Sequence, residues 1–255
     1  MKLTAIRLFL NEAGSIFSFG SRFFREGFKP TYEFAELQRQ CFFIGYRSLG
    51  LVAITAFIMG LVITIQSRPT LVEFGAEAWL PKMVSVSLVR EIAPVITALI
   101  CAGKVGSGIG AELGSMKVTE QIDAMEVSGT NPFKFLVVTR VMASTLMIPI
   151  LAVMADAVSL YGGYLGTNIR GVVSWDLYWN QVFDTLTFGD VIPSIGKTFL
   201  FGFAIGIIGC YKGYNSDKGT EGVGQSANSA VVISSLLVFV LDLLAAQLSD
   251  ILRLT

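Results

Sequence analysis

Histidine is absent from this 255-residue chain, and cysteine occurs only three times, at Cys41, Cys101 and Cys210. The first absence excludes a histidine-based metal site and any histidine-dependent catalytic triad. No CxxC spacing is present for redox chemistry either. Each cysteine lies in or just before an apolar stretch, where a lone thiol behaves as a small hydrophobe. Charge is scarce as well: 15% of residues are charged, and 19 basic side chains balance 19 acidic ones. No basic cluster stands out, which removes nucleic acid as a partner. No metal site is expected.

What the chain does have is apolar sequence, 53% of it by residue. That is too much for a soluble domain of this size and predicts an all-α membrane protein. A hydrocarbon core of about 30 Å needs roughly 20 mostly apolar residues as helix. Five segments qualify, near 42–65, 83–105, 133–165, 192–211 and 227–248. Charges fall inside some of them: Arg90 and Glu91 in the second, Arg140 and Asp156 in the third, Asp242 in the fifth.

The N-terminus lacks the form of a cleaved signal peptide, because Arg7, Asn11 and Glu12 interrupt its apolar stretches. Ile6, Phe9, Ala13 and Phe17 share one helical stripe, with Arg7, Arg22, Arg25 and Lys29 supplying positive charge. Phenylalanine is dense there, at Phe9, Phe17, Phe19, Phe23, Phe24 and Phe28. The pattern predicts an amphipathic helix in the membrane interface over residues 1–40, ahead of a membrane domain over 41–255.

Orientation follows from lysine and arginine. With the N-terminus inside, inner segments hold thirteen: Lys2, Arg7, Arg22, Arg25, Lys29, Arg39, Arg47, Lys104, Lys117, Lys134, Arg140, Lys212 and Lys218. Outer segments hold five, Arg68, Lys82, Arg170, Lys197 and Arg253. The bias predicts a cytoplasmic N-terminus, an outer C-terminus and residues 106–132 in the cytoplasm. In the outer loop at 167–191, Trp175, Tyr178, Trp179 and Phe183 recur at helical spacing. Ser174 is the expected N-cap and Gly189 the expected stop. An aromatic belt at the membrane surface and a docking surface for an outer partner both account for that pattern.

The stretch CAGKVGSGIGAELGSMKVTEQIDAMEVSGTNP at 101–132 differs from everything around it. Gly103, Gly106, Gly110 and Gly114 are read as close helix packing, the last three spaced four apart along one face. Gly162/Gly166, Gly202/Gly206 and Gly209/Gly213 repeat that spacing. A nucleotide loop is ruled out, since Gly103-Lys104 is followed by Val105 rather than Ser or Thr. GxGxxG fails at Ala111. A short helix then places Val118, Ile122 and Met125 on one stripe, with Glu120, Gln121, Asp123 and Glu126 beside it. Gly129 ends it, and Asn131-Pro132 starts the next helix as N-cap and first residue. Acidic residues suit a protein groove better than anionic lipid headgroups.

Arg90 and Glu91 are adjacent, so on a helix they point about 100° apart and are poorly placed to pair with each other. Each is expected to meet another helix or a second subunit, either as a structural ion pair or lining a substrate cavity. Asp156 and Asp242 are similar candidates, and Arg140 is placed to snorkel at the inner boundary.

These residues bring out a resemblance. Arg90-Glu91-Pro94, Ala102-Gly103-Gly106, Ala111-Glu112-Gly114-Met116 and Glu120-Gln121-Met125-Pro132 match motifs of Mla-type permeases, the MlaE/YrbE family. GVGQSANSAVVISSLLVFVLD at 222–242 is a second match, and Lys104 stands where arginine is common. The likeness covers about 45–250. It implies a homodimer of five-span permease subunits in a bacterial inner membrane, with a lipid cavity at the dimer interface, lined mainly by the first two spans, that brings in Arg90, Glu91 and Pro94. It also implies a cytoplasmic ABC ATPase pair, carrying the ATP and Mg, docked on the helix at 118–127. No cofactor is expected in this chain. An MCE-domain protein would sit on the outer face and exchange phospholipid or a related lipid. An ion-coupled transporter of a hydrophobic substrate is the alternative, motivated by Glu91, Asp156 and Asp242. An enzyme is not expected, because no base and nucleophile stand together.

Overall fold

The computed structural model describes residues 2–27, 33–169, 171–217 and 219–251, with side chains from Leu10 onward. Lys2, Ile6, Arg7, Phe9, Phe28, Lys29, Arg170, Lys218 and Arg253 therefore lie outside the described side chains. Among the described residues the chain is helical, with no strand. Helix α1 spans Lys2–Gly27 and α2 Phe34–Glu73. Then come α3 (Leu80–Ser87), α4 (Ala93–Cys101), α5 (Ser107–Val118) and α6 (Gln121–Val127). The remainder is α7 (Thr139–Asn168), α8 (Trp175–Thr185), α9 (Phe188–Tyr214) and α10 (Thr220–Ile251). Wide π turns at Leu88–Ile92 and Ala102–Gly106 separate α3, α4 and α5 along the chain, and a third at Phe133–Val138 leads into α7.

Five helical stretches are long and apolar enough to cross a membrane: Phe34–Glu73, Glu77–Val118, Phe133–Asn168, Phe188–Tyr214 and Thr220–Ile251. All are longer than the apolar cores read from sequence. Helices continue past the hydrocarbon wherever polar residues such as Arg68 and Lys117 still favour helix, and hydropathy sees only the apolar part. Gly189 does not end α8. That helix stops at Thr185, and Gly189 sits in the first turn of α9, whose start Asp190 holds. Asp190 Oδ2 accepts from the Thr187 N–H at 2.9 Å and from its hydroxyl at 2.7 Å. Ser174 is the N-cap of α8, accepting from Leu177 N–H at 3.3 Å.

The contacts divide the chain into two compact units. The first comprises Met1–Ile44, Ala102–Thr145 and Gly202–Leu237. In it, α1 presents Glu12, Phe19, Phe23 and Glu26 to the protein. Phe19 packs edge-on to Phe133 at 5.0 Å and Tyr211 at 5.6 Å, and Lys212 pairs with Glu12. The predicted stripe lies elsewhere on the same helix: Ala13 and Phe17 face away, Phe17 being 82% exposed. So α1 has a protein face and a second apolar face. Gly110 and Gly213 meet closely: a Cβ on Gly213 would lie 2.8 Å from the Gly110 carbonyl. Gly202 and Gly206 likewise admit the α7 backbone at Ser144 and Val141.

The second unit comprises Gly45–Cys101, Leu146–Phe201 and Val238–Thr255. Gly162 and Gly166 let α7 approach α2 at Phe57 and Thr64. The α8 aromatics serve a core rather than a belt alone. Tyr178 is fully buried against Leu80, Val84, Leu88 and Leu160, and its hydroxyl donates to the Leu160 carbonyl at 3.0 Å. Burial also pushes its phenol pKa upward. Phe183, 70% exposed, remains on the surface.

Candidate functional site

In the first unit the acidic helix forms, but over a shorter range than its sequence pattern suggested. Val118 closes α5, and Glu120 is a joint with φ 59°, the one described non-glycine residue in the left-handed region. Neither lies on α6. Ile122 is 1% exposed and anchors α6 inward, so it offers no docking surface. The exposed face consists of Gln121, Asp123, Ala124, Glu126 and Val127, with Val127 90% exposed and Met125 half-buried. Asp123 pairs with Lys117 at 2.9 Å.

The end of α6 follows its local chemistry. Gly129 takes φ 82° and donates to the Glu126 carbonyl at 3.1 Å, while Thr130 N–H reaches the Met125 carbonyl at 3.1 Å. That pair of bonds is a Schellman stop. Asn131 Oδ1 accepts from Lys134 N–H at 3.2 Å, capping the next helix with Pro132 in its first turn.

Of the glycine ladder, Gly106, Gly110 and Gly114 face Ile205, Ser226 and Ser216 closely. Gly103 does not: a Cβ there would meet nothing within 4 Å. It falls in a π turn, where the helical face shifts by a residue. Arg140 does not snorkel. Its side chain is 3% exposed, bound to Glu112 at 2.9 Å and to the Leu136 carbonyl at 3.0 Å.

In the second unit, Arg90 and Glu91 lie in the first π turn, and Pro94 accounts for it. Proline has no N–H, and its ring collides with the carbonyl four residues back, that of Arg90. Ala93 N–H bonds the Leu88 carbonyl instead. The Val89 carbonyl would then need the N–H of residue 94, which proline lacks. Ser194 on α9 supplies the donor, its hydroxyl 2.6 Å from that carbonyl. Pro94 itself is buried and does not line the cavity beside the turn.

That cavity holds about 390 Å³ and is bounded by Arg90, Glu91, Asp190, Ser194, Lys197 and Asp250, among others. Arg90 Nε is 3.4 Å from Asp190 Oδ1. Lys197 Nζ, on a side chain 5% exposed, lies 2.5 Å from Glu91 Oε2 and 2.8 Å from Asp242 Oδ1. A buried ammonium between two carboxylates is held by charge-assisted hydrogen bonds where water does not compete. Lys197, Asp190 and Asp250 escaped the sequence reading. Lys197 was available to it, being a lysine inside the apolar run FGDVIPSIGKTFLFGF, as conspicuous as Arg90.

Five helices long and apolar enough to cross a membrane, with ion-paired charges on them, mark a multi-pass membrane protein. The family model for the permease MlaE matches residues 37–248. The chain belongs to the MlaE permease family. It is 41% identical over 220 residues to a probable ABC transporter permease protein of Rickettsia typhi, covering 86% of this chain and 85% of that one. A probable ABC transporter permease protein of Synechocystis is 39% identical, over 77% of this chain and 75% of its own length. The intermembrane phospholipid transport system permease protein MlaE of Haemophilus influenzae is 32% identical, over 82% and 80%.

Proposed function

We propose that this chain is the membrane subunit of an ABC transporter that moves phospholipid or a related lipid. The observation that carries the reading is the likeness to the Haemophilus phospholipid permease along most of both chains. In this reading the protein resides in a bacterial inner membrane with its N-terminus in the cytoplasm, as the lysine and arginine bias favours. The second apolar face of α1 then lies in the membrane interface, where the exposed Phe17 has an apolar environment.

A separate ATPase, holding ATP and Mg, docks on the exposed face of α6. The acidic and apolar side chains Asp123, Glu126 and Val127 suit a protein groove. Two copies of the chain pair within the membrane, and an MCE-domain protein works on the outer side. Large apolar side chains left exposed along α2 and α10, such as Ile54, Ile58, Leu236 and Phe239, supply surface for lipid and for a second copy. Lipid enters the site at Arg90 and Glu91. The ion-coupled alternative is weakened at two of its three acids, because Glu91 and Asp242 already hold Lys197. The test is co-purification from membranes. The chain alone should hydrolyse no ATP, while the assembled complex should contain an ATPase and extractable phospholipid. ATP hydrolysis by the isolated chain would overturn the reading.

A further inference from the structure

The cavity beside the first π turn carries more acid than base. Lys197 is shared by Glu91 and Asp242. Arg90 meets Asp190, whose second oxygen is already taken by Thr187. Asp250 stands exposed on the rim. Two cationic side chains therefore serve four carboxylates.

Surplus negative charge at membrane depth is costly unless a cation completes it. A lipid of net negative charge would add to the surplus. A headgroup with an ammonium beside its phosphate offsets it, the phosphate resting on the Arg90 guanidinium and the ammonium on Glu91 and Asp250. The openings match: the Arg90 side chain is 35% exposed and that of Glu91 48%, the two most accessible members of the ion-paired set. Both border the cavity, so they offer it one charge of each sign. We propose, resting on the lipid-permease reading above, that this cavity is a headgroup site preferring zwitterionic, amine-bearing phospholipid over lipid of net negative charge.

The test uses full-length protein in vesicles of equal phosphatidylethanolamine and phosphatidylglycerol. A benzophenone maleimide is attached to a thiol introduced by Ala246→Cys, in the cavity wall, in a Cys41→Ser background. Val153→Cys, on the exposed face of α7, reports bulk lipid. After illumination, intact-mass analysis gives the ratio of lipid adducts. At position 246 the ethanolamine lipid should be enriched about fivefold over the ratio at 153, the size an exposed ion pair supports. Adding Glu91→Gln and Asp250→Asn should return the ratio to that at 153 with adduct yield retained. Equal ratios at the two positions in the parent protein would overturn the headgroup preference and leave lipid entry standing. Adducts at 153 with none at 246 would overturn lipid entry itself.

Discussion

Asn131 Nδ2 donates to Glu26 Oε2 at 3.2 Å, joining the loop after α6 to the last turn of α1. The residues are 105 apart in sequence, and Asn131 uses its other side-chain atom to cap the following helix. One amide thus fixes the loop to two elements. Glu26→Ala removes a bond to a charged acceptor, worth about 1.5–3 kcal/mol. Backbone amides of 121–130 should exchange hydrogen at least about tenfold faster in the variant, while those of α8 stay unchanged.

Ile122 and Val127 of α6 should behave oppositely. Ile122→Asp buries a charge and should lower the amount of folded protein in the membrane. Val127→Asp changes an exposed residue and should leave thermal stability within about 0.5 kcal/mol, yet reduce ATPase co-purification. Full ATPase capture by the Val127 variant would remove that residue from the docking surface.

Lys197→Met strands Glu91 and Asp242. Breaking a buried pair costs about 3–5 kcal/mol, and the lower end applies because Glu91 is half exposed. A fall in detergent melting temperature is expected. Recovery of most of that fall on adding Glu91→Gln and Asp242→Asn would show that unpaired charge, not lost packing, was responsible.

Two glycines of the first unit should also separate. Gly103→Ala meets no neighbour and should stabilise its helix by about 0.5–1 kcal/mol. Gly213→Ala drives a Cβ to 2.7 Å from the Leu113 Cβ and should cost about 1–3 kcal/mol. Paired thermal melts of the two variants decide the matter.

What the sequence made legible was local or periodic. Ser174, Gly129 and Asn131 declare caps because their chemistry acts within a few residues, and five apolar runs declare five crossings. The partners of Arg90 and Glu91 were not legible. Asp190 and Lys197 lie about a hundred positions away, and only packing brings them near. The π turns were hidden too, since one extra residue in a turn leaves the hydropathy pattern almost unchanged. Gly103 was misplaced for that reason. Ile122 was misjudged because an apolar stripe on a short helix looks the same whether it faces its own protein or a partner.

Helix α6 has a left-handed residue on either side, Glu120 at φ 59° and Gly129 at φ 82°. Neither end continues smoothly into its neighbour, so a push on the exposed face does not travel on as twist along an unbroken rod. The segment is a short helix held between two backbone turns, with Ile122 as its seat. In the docking reading proposed above, a push on that face would reach α5 and the start of α7 only through those two turns.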